Sequence, residues 1–169
     1  LDNELVCIAQ QHLNWERASR NRNDVTVCGY IGSPSLWVRT IYEEIAHDLK
    51  QIGFDFVTCF QFLDRQTCLD FFRKIDLLVV GPERTAKPFK TSTKLINAAS
   101  FGIPAIAQQL PGYKEWEGNY VIANNPRAIV KEAEKFKDET YYHEWSGRIV
   151  PEAEKYHISN VADHYRGLS

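Results

Sequence analysis

KTSTKLINAASFGIPAIA, residues 90–107, is the stretch of sequence that decides the fold. It combines a polar helix start, a short amphipathic helix, Gly102 as a helix stop and an apolar segment, 103–107, that is typical of a buried strand. The segments before it show the same alternation of apolar strands and helices with one apolar face. The alternation predicts an α/β fold: a Rossmann-like, doubly wound parallel sheet flanked by helices and closed by C-terminal helices.

The same pattern assigns most of the chain to regular elements. The predicted strands are 25–31, 54–60, 76–80, 103–107 and 119–123, and the predicted helices are 36–52, 65–74, 91–101, 126–137, 139–147 and 151–167. Asp64 and Asn125 stand where helix N-caps are expected. Residues 1–24 are polar and irregular apart from 5–9, so we expect an interdomain linker or lead-in segment there and a single domain over 25–169.

Composition narrows the function classes. The 169 residues carry a formal net charge of -2, so no overall basic field attracts nucleic acid. No apolar run approaches the roughly 20 residues that span a bilayer. The arginine-rich run 17–22 is interpreted as a solvated linker. Because the sequence begins with Leu1 and contains no methionine, we expect a fragment or a processed form.

Cysteines and histidines give no sign of a metal site. The four cysteines form no C-x-x-C pair: Cys7, Cys28, Cys59 and Cys68. Cys28 and Cys59 fall in strands predicted to be buried, which favours reduced core thiols and a cytoplasmic location. The five histidines are scattered, and no nucleophile stands at a recognisable spacing from a base. His12 and His157 are candidates only as histidines that could lie near a cleft, so no catalytic residue is assigned.

The start of the helix at 91–101 is the strongest candidate for a binding site. Thr91, Ser92 and Thr93 supply hydroxyls, and Lys90 and Lys94 flank them. Unpaired N–H groups, the positive end of the helix dipole and two ammonium groups together favour a phosphate.

Helical spacing extends this candidate site along one face. Lys90, Lys94 and Asn97 are spaced i, i+4 and i+7, which suits a diphosphate followed by a ribose hydroxyl. The alternative is a solvated lysine stripe on an ordinary capped helix.

Two loops at the same predicted sheet edge supply further candidates. In Gly32–Ser35, Ser33 is a candidate second phosphate contact, or Ser35 simply caps the next helix. In the loop 81–88, Arg84 or Lys87 could pair with a phosphate, and Glu83 could accept a hydrogen bond from a sugar or base.

Two aromatic residues follow the predicted strand 103–107. Tyr113 and Trp116 could stack on a sugar or base, or they could pack against the C-terminal helices. The sequence leaves both alternatives open.

Residues 94–107, KLINAASFGIPAIA, resemble the K-L-x-E-A-x-A-x-G-x-P-V-I-A signature of glycosyltransferases with the GT-B fold, of the group 1 or family 4-like type. The signature lies in their C-terminal, donor-binding domain, and the resemblance covers roughly 24–168. It implies glycosyl transfer from a nucleotide-diphosphate sugar, with no cofactor and no essential metal, in carbohydrate biosynthesis. It also implies that an N-terminal domain or a partner chain holds the acceptor, so this part alone is expected to be inactive. Membrane association would come from parts outside the sequence.

The resemblance places the helix start at 91–93 toward the donor diphosphate, with Lys94 close to it. Asn97 replaces the glutamate that usually holds the ribose, and Phe89 replaces an acidic residue. These departures keep an alternative open, namely a degenerate or non-catalytic Rossmann- or flavodoxin-like module that acts through protein contacts. A receiver-like module is disfavoured because 25–31 contains no acidic residue.

Overall fold

A computed structural model describes residues 10–19, 24–33, 36–61, 64–81 and 90–166. The elements are β1 (Val27–Ile31), α1 (Leu36–Gln51), β2 (Asp55–Cys59), α2 (Arg65–Lys74), β3 (Leu77–Val80), α3 (Thr93–Ser100), β4 (Ala105–Ala107), a 3₁₀ helix (Pro111–Trp116), β5 (Val121–Ile122), α4 (Pro126–Lys135), α5 (Glu139–Glu154) and α6 (Ile158–Arg166). The apolar piece 5–9 and the Ser35 cap lie outside the described residues.

The strands form one parallel sheet of five strands, in the order β2-β1-β3-β4-β5. The predicted α/β fold with a parallel sheet is therefore confirmed. The order changes direction between β1 and β3, which are neighbours, with Cys28 opposite Leu77. In open parallel sheets, the crevice beyond the carboxyl ends of two such strands is where ligands bind.

The core lies on both faces of the sheet. All four residues of β3 are buried, and they alternate between the two layers. Leu78 and Val80 pack with residues of α2, α3 and α5, whereas Leu77 and Val79 pack with residues of α1 and α4. This two-sided burial explains the continuous apolar sequence of the strand.

The cysteine predictions are confirmed in part. Cys28 is fully buried, and Cys28, Cys59 and Cys68 are free thiols. Cys59 was expected in a buried strand, but it ends β2, which is the edge strand of the sheet, and it is only half-buried. Burial raises the pKa of the Cys59 thiol.

Both predicted N-caps are confirmed. The Asp64 carboxylate accepts a hydrogen bond from the Thr67 N–H at 2.8 Å, and the Asn125 side chain accepts one from the Ala128 N–H at 2.8 Å. Each cap satisfies one of the backbone donors that a helix start leaves without a helical partner.

The closing helices differ from the prediction. We expected a break between 147 and 151, but α5 runs through Gly147 and Pro151, and α6 begins only at Ile158. Burial explains the difference, because Ile149 and Ala153 are 1% and 0% exposed on the face that α5 presents to the core. Packing of this face outweighs the low helix propensity of glycine and proline.

Residues 10–19 lie against the folded body, and we refer to them as the lead-in segment. The Leu13 N–H donates to Asn97 Oδ1 at 2.8 Å, and the Leu13 carbonyl accepts from the Arg65 guanidinium at 2.7 and 3.0 Å. Arg17 was expected in a solvated linker, yet its guanidinium pairs with the Glu154 carboxylate at 2.6 Å.

Asn14 fastens the lead-in segment to the end of α3. It is 1% exposed, and its Nδ2 donates to the Ser100 and Ala18 carbonyls at 2.7 and 2.9 Å, while its Oδ1 accepts from the Ala18 N–H.

We expect Asn14→Ala to lower the free energy of unfolding by about 2–3 kcal/mol, at roughly 1 kcal/mol per hydrogen bond lost. Chemical denaturation measures this. Asn124→Ala is the matched control, because it removes one exposed hydrogen bond from the Gln109 N–H, and it should cost less than half as much. Equal costs would contradict this account of the lead-in segment.

Two buried histidines meet where the lead-in segment contacts α6. The rings of His12 and His157 are 5.4 Å apart in an edge-to-face arrangement, and each residue is 3% exposed. The His12 N–H donates to the Tyr156 carbonyl at 2.9 Å. Burial, followed by the charge of His157, lowers the pKa of His12 from 6.5 to about 4.

The low pKa of His12 predicts a loss of stability in acid. Between pH 6.5 and 4 the unfolded chain binds a proton at His12 that the native state does not bind, so the free energy of unfolding falls as the pH falls. The expected loss is about 3 kcal/mol, because a pKa difference of one between the two states corresponds to roughly 1.4 kcal/mol. Denaturant unfolding at several pH values measures it. The slope should be smaller in His12→Gln, and the same slope in both proteins would contradict the assignment.

Candidate functional site

The candidate site lies at the carboxyl edge of the sheet, where β1 and β3 end side by side. Gly32 follows β1, and Gly81 follows β3. Ser33, the predicted second phosphate contact, is exposed at this edge. The helix α3 begins close by, because Lys94 in its first turn reaches Gly32. The fold thus brings a helix start to the crevice where the strand order changes direction.

The helix start itself carries several hydroxyl groups. The helix begins at Thr93, and Ser92 is its N-cap residue, but the Ser92 side chain makes no capping hydrogen bond. Instead Ser92 Oγ donates to the Gly112 carbonyl at 3.3 Å. Thr91 and Thr93 share a hydrogen bond between their hydroxyls at 2.9 Å, and Thr93 Oγ1 donates to Gln10 Oε1 at 3.2 Å. No side chain therefore caps the N–H groups of the first turn, within the described part of the chain.

Lys94 extends from α3 across the edge of the sheet toward β1. Its Nζ lies 4.8 Å from the centroid of the Tyr30 ring. A Cβ atom placed on Gly32 would lie 2.5 Å from this Nζ and would also collide with the Tyr30 hydroxyl. Burial, followed by the charge of Lys90, lowers the pKa of Lys94 from 10.5 to about 8. Among the described residues no carboxylate pairs with Lys94, so a partly buried ammonium group stands at this edge.

Lys90 is near Lys94, but it is not on the helix. The helix starts three residues later than Lys90, so the expected helical face shared by Lys90, Lys94 and Asn97 does not form. Lys90 is half-buried, and this burial lowers the pKa of its ammonium group. The two lysines are close enough for the charge of Lys90 to lower the pKa of Lys94. The structure therefore brings them together through the segment before the helix.

Asn97 is directed to the lead-in segment. It is 7% exposed, and its Oδ1 accepts the hydrogen bond from the Leu13 N–H. The oxygen that the sequence analysis assigned to a ribose hydroxyl is thus engaged by backbone. Four other residues named from the sequence, Glu83, Arg84, Lys87 and Phe89, lie outside the described residues.

The aromatic residues of the 3₁₀ helix pack in the core. Tyr113 and Trp116 are 2% and 1% exposed. Trp116 contacts the Tyr156 ring edge to face, with centroids 5.7 Å apart, and Tyr113 contacts Tyr120 at 5.9 Å. Both rings belong to the same core cluster as Ile149 and Ala153 of α5, so packing against the C-terminal helices is confirmed, and stacking of these rings on a ligand is excluded by their burial.

The two histidine candidates are structural. The imidazole of His12 accepts from the Asn14 N–H at 3.2 Å, and that of His157 contacts the Trp15 carbonyl at 2.9 Å and Ser159 Oγ at 2.7 Å. Both therefore join the lead-in segment to residues 156–159, and neither lies at the sheet edge. No group of three or more His, Cys, Asp or Glu side chains in the described ranges could hold a metal ion.

Two tyrosines and one glutamine at the site could not be predicted from the sequence. Tyr30 faces the Lys94 ammonium, Tyr42 stacks on Tyr30, and Gln10 contacts Thr93. The one signal in the sequence was the position of Tyr30, two residues before a glycine at the end of a predicted strand. The other contacts join residues distant in sequence, which local patterns do not report.

Comparisons with known proteins give no assignment. No protein-family model matches the sequence, and a search of curated proteins finds no match either. None of the helices that the structure describes has the length and hydropathy of a membrane-spanning segment.

The close approach of Gly112 to Lys90 supplies a test of the site's architecture. A Cβ on Gly112 would overlap the Lys90 carbonyl oxygen, and a backbone atom cannot rotate away. We expect Gly112→Ala to lower the free energy of unfolding by about 2–4 kcal/mol, a cost typical of severe overpacking. Denaturant titration measures this. Gly147→Ala is the control, since nothing lies within 4 Å of its added Cβ in α5, and it should raise stability by about 0.5–1 kcal/mol. A harmless Gly112→Ala would contradict the packing described.

Proposed function

We propose that this chain is the donor-binding domain of a GT-B glycosyltransferase and that it binds the diphosphate of a nucleotide-sugar at the start of α3. The observation that carries the proposal is the Lys94 ammonium, partly buried at the carboxyl edge and without a carboxylate partner among the described residues. Holding a charge there costs desolvation free energy, which an anionic ligand would offset. The site also lies where the strand order changes direction, the usual ligand position of such sheets.

Several groups converge on a diphosphate at this position. The first turn of α3 has no side-chain cap, and its dipole favours negative charge. Lys90 and Lys94 contribute positive charge, and the hydroxyls of Thr91 and Thr93 are hydrogen-bond donors beside them. In glycosyl transfer these groups would stabilise the nucleoside diphosphate as the bond to the sugar breaks, an electrostatic role. The resemblance of 94–107 to the GT-B signature supports the same assignment.

The rest of the proposed enzyme follows from the same resemblance. An N-terminal domain or a partner chain would hold the acceptor and supply the catalytic base, with no essential metal. A cytoplasmic location is supported by the free thiols of Cys28, Cys59 and Cys68, the cysteines that the structure describes, because such thiols persist in reducing compartments.

One observation favours the alternative function, a non-catalytic module that acts through protein contacts. Asn97 takes the place of the ribose-binding glutamate, and its oxygen is engaged by the Leu13 N–H. A degenerate domain would keep the fold and lose the ligand. Nucleotide binding therefore discriminates the two functions.

The test is a calorimetric titration of the protein with UDP, GDP, CDP and ADP, with magnesium and with EDTA. We expect one of them to bind with or without the metal. Lys94→Met should weaken that binding by about 1–3 kcal/mol, roughly 5- to 150-fold, because a charge-assisted contact is lost. The thermal stability of the ligand-free variant should not fall, since the substitution removes a partly buried charge and keeps the apolar stem.

Lys131→Met is the matched control, because Lys131 is an exposed lysine of α4. It should leave the affinity unchanged. Failure of all four nucleotides to bind the unsubstituted protein would favour the non-catalytic module, and full affinity in Lys94→Met would remove Lys94 from the site.

A further inference from the structure

A column of aromatic rings leads to the Lys94 ammonium. The Phe56 ring of β2 stacks on Tyr42 of α1, with centroids 5.4 Å apart and an interplanar angle of 15°. Tyr42 stacks in turn on Tyr30 of β1, at 4.3 Å and 28°. The Lys94 Nζ lies over the Tyr30 ring, 4.8 Å from its centroid. The distance from Nζ to the ring is within the range of a cation–π interaction.

Hydrogen bonds to β3 fix Tyr42, the middle ring of this column. The Tyr42 hydroxyl accepts from the Gly81 N–H at 2.9 Å and donates to the Val79 carbonyl at 3.5 Å, both at the end of β3. Tyr42 and Tyr30 are 4% and 3% exposed. Because Tyr42 is bonded to β3 and stacked on Tyr30, the Tyr30 ring has a fixed orientation relative to the edge where β1 and β3 end.

Gly32 leaves the space through which Lys94 reaches the ring. A side chain at Gly32 would collide with both the Lys94 ammonium and the Tyr30 hydroxyl. Lys94 belongs to a helix that packs on one face of the sheet, whereas Tyr30 belongs to the core on the other face. The lysine therefore crosses the sheet edge above Gly32, and its ammonium group contacts the Tyr30 ring.

We infer that Tyr30 is a positioning residue for Lys94: its ring stabilises the ammonium group in the charged form and holds it at the carboxyl edge, where the diphosphate would bind. The inference deepens the proposed function and relies on it for the ligand. The negative face of an aromatic ring attracts a cation, and the attraction strengthens when water is excluded. The ring offsets part of the desolvation cost and of the repulsion from Lys90.

The other titratable groups around this contact are few in the described residues. Lys90 is the neighbouring cation and opposes the charge on Lys94. Tyr113 in the 3₁₀ helix is close enough to interact electrostatically with Tyr30 and Tyr42. Burial raises the pKa of all three phenols above their usual value, so they stay neutral near pH 8. A change in the electron density of the Tyr30 ring should therefore change the pKa of Lys94 directly, and not through the ionisation of a neighbouring phenol.

The experiment varies that electron density and leaves the shape of the ring almost unchanged. Tyr30 is replaced by Phe and then by di- and pentafluorophenylalanine in the full chain. The titration midpoint of Lys94 is followed by NMR of ¹³C-labelled lysine, with Lys94→Met to assign the signal. We expect a midpoint near pH 8 in the unsubstituted protein and in Tyr30→Phe. Fluorination should lower it stepwise by about half a pH unit or more.

Affinity for UDP and GDP, measured at pH 8 on the same proteins, should fall about two- to fivefold along the series for whichever nucleotide binds, following the loss of charged Lys94. Fluorinated phenylalanine at Phe72, a buried ring of the other layer, is the control and should not move the midpoint. A constant midpoint across the Tyr30 series would overturn the inference, as would a change already complete in Tyr30→Phe, which would assign the effect to the hydroxyl. Absence of nucleotide binding by the unsubstituted protein would instead count against the proposed function, because the NMR midpoint needs no ligand.

Discussion

The candidate site depends on one constraint: a positive charge is held partly out of water at the point where two parallel strands end side by side. Lys94 reaches that point only because α3 begins at Thr93, which puts the lysine in the first turn. Gly32 must leave the passage open, and Tyr30 must present its ring on the far side. Each of these features has a cost of its own, in backbone freedom or in desolvation, and together they place one positive charge at this edge.

Much of the fold could be predicted because its signals are local. The β3 strand is buried on both faces, so its sequence is continuously apolar, and the caps at Asp64 and Asn125 bond three residues ahead. The end of the chain could not be predicted in the same way. Gly147 and Pro151 are local signals for a break, but the burial of the α5 face overrides them.

In the candidate site, too, only the features with local signals could be predicted. The hydroxyls and lysines at the helix start are contiguous in sequence, so their chemistry could be recognised. Helical spacing alone placed Asn97 on a ligand-facing stripe, whereas its real partner is the Leu13 N–H, 84 residues away in sequence. The contact of Tyr30 with Lys94 likewise depends on which strands are neighbours and on how the edge is crossed, and no periodicity encodes that.

The lead-in segment also has a consequence for the order of folding. Its bonds to α5 and to the turn before α6 join residues 137 and 142 positions apart, as in Arg17 with Glu154 and Trp15 with His157. Closing so long a loop costs the most chain entropy, while the βα units form from near neighbours. We therefore expect the segment to dock late and to open before the sheet does, which would free the oxygen of Asn97.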